Sequence, residues 1–243
     1  MILLIDAGNT RLKWRLAGTG GPLEGAAVMA DAEPLIGLSG YWPDIDRILV
    51  STVASESARE QLHELLCARA KVPVEYCWAE SMRDGLSNSY GDVSRMGADR
   101  WHAMLAGWVR CKASFAVVDA GSAVTVDYVN AGGRHLGGYI LPGLQMMRRS
   151  LKVDAARIGF ELSEQLDTRP GQSTGECVNH GLAWLTEALV QRIHQDAEAF
   201  GLSAIYLTGG DARRLQALGL EASVVEGMVL DGLERIASAG VPR

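Results

Sequence analysis

The chain lacks any run of about 18 apolar residues, the length a membrane-spanning helix needs. Its first apolar stretch has no basic region before it and no small-residue cleavage site after it, so no signal peptide is expected. It also lacks a net positive charge. Twenty-three Lys and Arg against 29 Asp and Glu give a net charge of -6 and a pI near 5.4, which argues against nucleic-acid binding driven by phosphate neutralisation. Cysteine is sparse: Cys67, Cys77, Cys111 and Cys177 are scattered and form no CxxC pair. That spacing predicts free thiols in a reducing cytoplasm rather than a disulfide framework. GxxxxGK[ST] is absent, and so is GxGxxG after a strand, which excludes P-loop and Rossmann readings. There is no HExxH, no zinc-spaced Cys/His cluster and no GxSxG. No repeat of solenoid period occurs. His63, His102, His135, His180 and His194 are scattered, and each reads as a helix-face or turn residue.

What is present is an ordinary globular composition, 48% hydrophobic and 21% charged over 243 residues, enough for one large domain or two of usual size. The first stretch carries the most information. Ile2-Leu3-Leu4-Ile5 runs into Asp6-Ala7-Gly8-Asn9-Thr10, and alternation resumes through Arg11-Leu12-Lys13-Trp14. Apolar run, tight turn and alternating run predict a β-hairpin. Its turn holds a carboxylate, a glycine, an amide and a hydroxyl, the groups suited to a hydrated metal and a phosphate chain. The pattern returns at Phe115 to Val118, then Asp119-Ala120-Gly121-Ser122-Ala123-Val124-Thr125 and a second alternating run. Two copies of strand, Asp-x-Gly and strand suggest a duplicated α/β fold with one acidic hairpin in each half.

Between the hairpins, turn composition marks residues 18–22. A strand is expected near Ala26–Val28, a short helix near Glu33–Leu38 and a buried strand over Asp46–Val53. Ser57-Ala58-Arg59-Glu60 has capping-box spacing and predicts a helix start, with Leu62, Leu65, Leu66 and Ala70 on its apolar face. Another short strand is expected over Val72–Trp78. Residues 79–97 read as a loop, either a plain connection or a functional one. Gly97-Ala98-Asp99-Arg100 then opens a helix whose apolar face carries Trp101, Leu105, Trp108 and Val109. Asp99 in its first turn serves either as a cap or as a carboxylate held ionised by the helix N-terminus. Arg100 either pairs with an acidic ligand or is solvated.

After the second hairpin, a strand is expected over His135–Ile140 and a helix after Leu141-Pro142-Gly143. Residues 154–172 read as irregular. Ser173-Thr174-Gly175-Glu176 starts a long helix with an expected apolar stripe of Val178, Leu182, Leu185, Leu189 and Ile193. Strand Ala204–Leu207, then Thr208-Gly209-Gly210-Asp211, then a helix, is a place where backbone N–H groups can meet a phosphate, or simply a tight turn. A last strand is expected at Val224–Glu226 and a terminal helix over Met228–Ala237.

Five motifs in order carry a resemblance: Asp6-x-Gly8-Asn9-Thr10, Gly97-x-Asp99-Arg100, Asp119-x-Gly121-x-Ala123-x-Thr125, Gly138-Tyr139-Ile140-x-Pro142-Gly143 and Thr208-Gly209-Gly210-Asp211. Together they span about the whole chain and resemble type III pantothenate kinase, of the actin-like ATPase and sugar kinase superfamily. Ser122 stands where the family usually has threonine, and it keeps the hydroxyl. The resemblance implies two similar actin-like halves, residues 1–113 and 114–243, with an interdomain cleft and a dimer interface on the second half. It implies phosphorylation of pantothenate by ATP, the first step of coenzyme A synthesis, in the cytoplasm. Asp99 corresponds to the general base. Asp6, Gly8, Asn9, Thr10, Lys13, Gly121, Ser122 and Thr125 correspond to ATP and phosphate contacts, with Asp6 on Mg²⁺. Asp119 corresponds to the position linked to a monovalent cation, K⁺ or NH₄⁺. Tyr90, Gly97, Arg100 and Thr174 correspond to pantothenate contacts, Thr174 reaching across a homodimer. No nucleic acid or membrane partner is implied. Two other readings stay open at this point: a related phosphotransferase or phosphatase acting on another substrate, and an accessory role in transcription.

Overall fold

The computed structural model describes residues 1–18, 20–31, 33–154, 159–161 and 163–239. They form two compact units. One is Met1–Val109 with the segment from Gly227 onward, and the other is Arg110–Glu226.

In the first unit, β1 (Ile2–Ala7), β2 (Arg11–Ala17) and β3 (Leu23–Val28) form an antiparallel meander. On the other side of β1, β4 (Arg47–Thr52) and β5 (Val74–Tyr76) add in parallel, joined by the crossover helix α1 (Glu56–Arg69). β1 is apolar from Ile2 to Ile5 because both faces of its sheet are covered. Leu3, Ile5 and Ala7 join Leu12, Trp14, Ile48 and Val50 in a core that includes Leu62 and Leu66 of α1. Leu4 and Leu49 face the other way.

The expected loop at 79–97 contains structure of its own. β6 (Met82–Arg83) and β7 (Leu86–Ser87) pair across Asp84-Gly85, which have φ of 53° and 88°. A 3₁₀ turn follows at Val93–Arg95, and then helix α2 (Ala98–Cys111).

The second unit repeats the plan. β8 (Phe115–Ala120), β9 (Ala123–Val129) and β10 (His135–Pro142) form the meander. Helices α3 (Leu144–Asp154) and α4 (Thr174–Ala199) lead to β11 (Ala204–Thr208), and α5 (Ala212–Ala217) leads to β12 (Ser223–Val224). β11 lies parallel to β8, and β12 parallel to β11. The sheet orders, β3-β2-β1-β4-β5 and β10-β9-β8-β11-β12, are the same when counted within each unit. The register matches too. Asp6 lies opposite Lys13 and Ser51, as Asp119 lies opposite Thr125 and Thr208.

The terminal helix α6 (Met228–Ala239) belongs to the first unit, although sequence reasoning put all of 114–243 in the second half. Leu230, Leu233 and Ala237 pack on Leu4 and Leu49, the face that α1 leaves uncovered. Two further expectations are corrected. The cap of α1 is Ser55, whose Oγ accepts the Ala58 N–H at 3.4 Å, so Ser57 is already inside the helix. The buried face of α4 is Asn179, Leu182, Ala183, Thr186, Val190, Ile193 and Asp196, while Leu185 is exposed. Polar residues occupy that face because each has a partner; Asn179 Nδ2, for instance, donates to Glu161 O and Gly175 O, both at 2.9 Å. Of the stretches expected to be irregular, residues 155–158, residue 162 and Thr19 lie outside the described residues.

Candidate active site

In the first unit, Asp6 is the part-buried residue before the end of β1, with the turn Gly8-Asn9-Thr10 beyond Ala7. The turn is closed by the Gly8 N–H donating to Arg11 O at 2.9 Å. It is also tied to the end of β4. Thr52 Oγ1 and the Val53 N–H donate to Ala7 O at 3.0 and 3.2 Å, and Asn9 Nδ2 donates to Val53 O at 3.3 Å. Thr10 is exposed, and Lys13 stands across the ladder from Asp6.

Asp99 reaches the same neighbourhood from α2. A Cβ on Gly97 would stand 2.6 Å from Asp99 Oδ1 and 3.5 Å from Val53 Cγ1. A side chain here would push the Asp99 carboxylate out of this position, and the carboxylate lies close over the glycine. Asp99 is the second residue of α2 and accepts the Arg100 N–H at 2.7 Å. The helix N-terminus favours its ionised form.

Arg100 is only 6% exposed. Its Nη1 donates to the Tyr90 hydroxyl at 2.9 Å, and its Cζ lies 5.8 Å from the Tyr90 ring centroid. Tyr90 is held in turn by Asn88, whose Oδ1 accepts the Tyr90 N–H at 3.0 Å while its Nδ2 donates to Glu80 O at 3.2 Å. Sequence reasoning missed Asn88. The signal was an Asn two residues before Tyr90, the spacing at which an Asn side chain bonds its own backbone.

The second unit gathers three of the sequence motifs onto one turn. The Gly121 N–H donates to Ala123 O at 3.0 Å, and the Gly143 N–H donates to Ser122 O at 3.1 Å. A Cβ on Gly143 would run into Gly121 O and Ser122 O. Gly209, at φ +95°, is seated just as closely: a Cβ there would run into Ala120 O and stand 2.5 Å from Asp119 Oδ1. The Asp211 N–H donates to Ala120 O at 2.9 Å. Thr125 pairs with Asp119 across the ladder. These contacts do not extend to Thr174, which is exposed in the first turn of α4, next to the cap formed by Ser173 Oγ and the Glu176 N–H at 3.3 Å.

Among the described residues, no group of three or more His, Cys, Asp and Glu side chains is placed to hold a metal. Mg²⁺ does not need one. It keeps several waters and takes the rest of its oxygens from one or two carboxylates and from phosphate. A single carboxylate near each strand end, bordered by hydroxyls, fits that oxygen donor set.

Two units of the same strand order, each with an acidic strand end, define a duplicated α/β fold of the sugar kinase and actin-like type. Solved structures share it along the full length. A Campylobacter jejuni protein assigned to the Baf transcriptional activator family superposes with a TM-score of 0.58 at 20% identity, covering 98% of each chain. A Sinorhizobium meliloti protein assigned as a 2-dehydro-3-deoxygalactonokinase gives 0.58 at 14% identity, covering 100% of each. Likeness at such identities concerns the fold alone.

Sequence narrows the class. Residues 2–196 match the type III pantothenate kinase family. A type III pantothenate kinase of Marinobacter nauticus is 96% identical over 241 residues, covering 99% of this chain and 100% of the relative. One from Cellvibrio japonicus is 39% identical over 241 residues, covering 96% of each. The chain belongs to the type III pantothenate kinase family and is a kinase.

Proposed function

We propose that this chain transfers the γ-phosphoryl group of ATP to the hydroxyl of pantothenate, the first step of coenzyme A synthesis. The observation that carries this reading is 96% identity to a type III pantothenate kinase over essentially the whole chain. The local geometry of each unit supports it.

Phosphoryl transfer asks the protein for positioning and charge neutralisation rather than covalent chemistry. Asp99 accepts the hydroxyl proton as the new O–P bond forms. Its place in the first turn of α2 keeps the carboxylate ionised and ready. Arg100, oriented by Tyr90, pairs with the substrate carboxylate, and such a charge-assisted pair is strong because the guanidinium is buried. The absent side chain of Gly97 lets the Asp99 carboxylate lie close over the backbone. Asp6, Gly8, Asn9, Thr10 and Lys13 contact the ATP phosphates, as do Gly121, Ser122 and Thr125. Asp6 would hold Mg²⁺ and Asp119 a monovalent cation, K⁺ or NH₄⁺; bound there, the ions offset the charge that spreads over the phosphoryl oxygens.

The active species is a homodimer in this reading, with Thr174 reaching the pantothenate of the second copy. The large apolar side chains left on the surface of the second unit support that assembly. Tyr139 and Ile140 on β10 are 52% and 65% exposed, and Trp184 on α4 is 60% exposed. The setting is the cytoplasm, where the four free cysteines stay reduced. Among the described residues, no helix is long and apolar enough to cross a membrane.

A coupled assay of ADP release with pantothenate, with and without K⁺, tests the proposal. Pantothenate-dependent, K⁺-stimulated turnover is expected. Turnover on other small alcohols with none on pantothenate would overturn it.

A further inference from the structure

One buried group in the first unit has no part in the chemistry just described. His102 lies one turn beyond Asp99 on α2, at the i, i+3 spacing that puts two residues on neighbouring positions of one face. Its side chain and that of Ser51 are both fully buried, and its Nδ1 is 2.8 Å from Ser51 Oγ. Ser51 is the residue of β4 that lies beside Asp6 in the parallel register. Gly232 of α6 is pressed against the His102 backbone; a Cβ there would run into His102 O and lie 2.7 Å from its carbonyl carbon. The helix is thus held at this residue by its side chain and by its backbone.

Stability does not account for a histidine here. Nε2 is buried with no hydrogen-bond partner among the described residues. An imidazole with one bond made and one unmet is worse in such a site than an apolar side chain of similar size. Burial, helped by the charge of Arg83, lowers its pKa to about 3, so the ring is neutral at any assay pH. Of the two neutral forms, the one with the proton on Nδ1 donates to Ser51 Oγ and leaves only a lone pair unmet. The alternative would bury an orphan N–H, which proteins avoid more strictly.

We propose that His102 is a positioning residue for phosphoryl transfer: through Ser51 it sets the first turn of α2, and with it Asp99 and Arg100, against the strand beside Asp6. The proposal rests on the kinase reading above, since it assigns His102 a task in that reaction. Misplacement of a reacting group by about 1 Å costs on the order of 100-fold in rate. A loosened helix, which still samples the correct position, should lose about tenfold by the same reasoning.

The test compares His102→Leu, Ser51→Ala, the double variant and His102→Asn in the full-length protein. Asparagine can place an N–H near the position of Nδ1. Both single variants are expected to lower kcat with pantothenate about tenfold while the KM for ATP stays within about twofold. The double variant is expected to be no worse than either single, because both break the same link. His102→Asn is expected to recover most of the rate. Wild-type kcat in His102→Leu, independent losses that multiply in the double variant, or no rescue by asparagine would each overturn the proposal. Imidazole ¹⁵N spectra of the wild type give a readout independent of activity. The proton should sit on Nδ1 of His102 from pH 5 to 8, and a ring that titrates in that range, or carries its proton on Nε2, would overturn the proposal. Absence of turnover on pantothenate by the wild type would instead refute the kinase reading.

Discussion

Gly209→Ala isolates the physical demand that the second unit places on its strand-to-helix turn. The position carries two separate costs. At φ +95° an L-residue is strained by roughly 1–2 kcal/mol relative to glycine. The new methyl would also collide with Ala120 O and with Asp119 Oδ1, and forcing an extra carbon into a packed site costs roughly 1–3 kcal/mol. The sum, roughly 2–5 kcal/mol, lowers the melting temperature of a chain of this size by roughly 4–20 °C. The next residue supplies the control. A Cβ on Gly210 meets nothing within 4 Å, so Gly210→Ala should shift the melting temperature by less than about 2 °C. Calorimetry on the two purified variants is the assay. Because the displaced atoms include the Asp119 carboxylate, Gly209→Ala should also raise the KM for ATP. Equal melting temperatures for the two variants would refute the close seating of Gly209 on the Asp119 turn.

Three further outcomes are expected. Arg100→Ala should raise the KM for pantothenate by roughly 10- to 100-fold, since charge-assisted hydrogen bonds are worth roughly 1.5–3 kcal/mol, while the KM for ATP changes little; steady-state kinetics in both substrates distinguish the two effects. Burial holds the folded pKa of His102 near 3 against an ordinary 6.5, so the unfolded chain binds the extra proton and this contribution to stability is lost as pH falls below 6.5. The loss is roughly 2 kcal/mol by pH 5; melting temperatures from pH 5 to 7 should therefore rise less steeply with pH in His102→Leu than in the wild type. Trp184→Glu puts a charge on an exposed apolar side chain of α4; if the proposed homodimer uses this face, light scattering should show dimer for the wild type and monomer for the variant at micromolar concentration, with helical content unchanged.

The parts of the fold that were legible in the sequence are those whose signal is local. Ile2–Ile5 and Phe115–Val118 are short apolar runs ending in Asp-x-Gly, and each became the central strand of its sheet. The glycines of the motifs were visible as letters, but the reasons for them were not. Gly143 and Gly209 are glycine because their segments press closely on Gly121-Ser122 and on Asp119-Ala120 respectively, and contacts between distant segments leave no periodic trace. Where two local signals competed, the reading went astray. Ser57 with Glu60 has the spacing of a cap, but the helix begins at Ser55. The leucines of α4 suggested one stripe, yet Asn179, Thr186 and Asp196 turn the buried face away from Leu185 because they have partners inside. Asp84-Gly85 is a strong hairpin signal, but the flanking strands have only two residues each and carry no alternation of their own. α6 returning to the first unit, and His102 meeting Ser51 from 51 positions away, depend on tertiary packing alone.

The central claim, that a carboxylate in the first turn of α2 takes the proton from pantothenate, is tested most directly by the single-turnover rate of Asp99→Asn at saturating ATP and pantothenate. The substitution keeps size and shape and removes only the base. A rate lower by roughly 10²- to 10⁴-fold, with the melting temperature near that of the wild type, is the result expected. A rate within a few-fold of the wild type would contradict it and leave Asp99 as no more than part of the helix start.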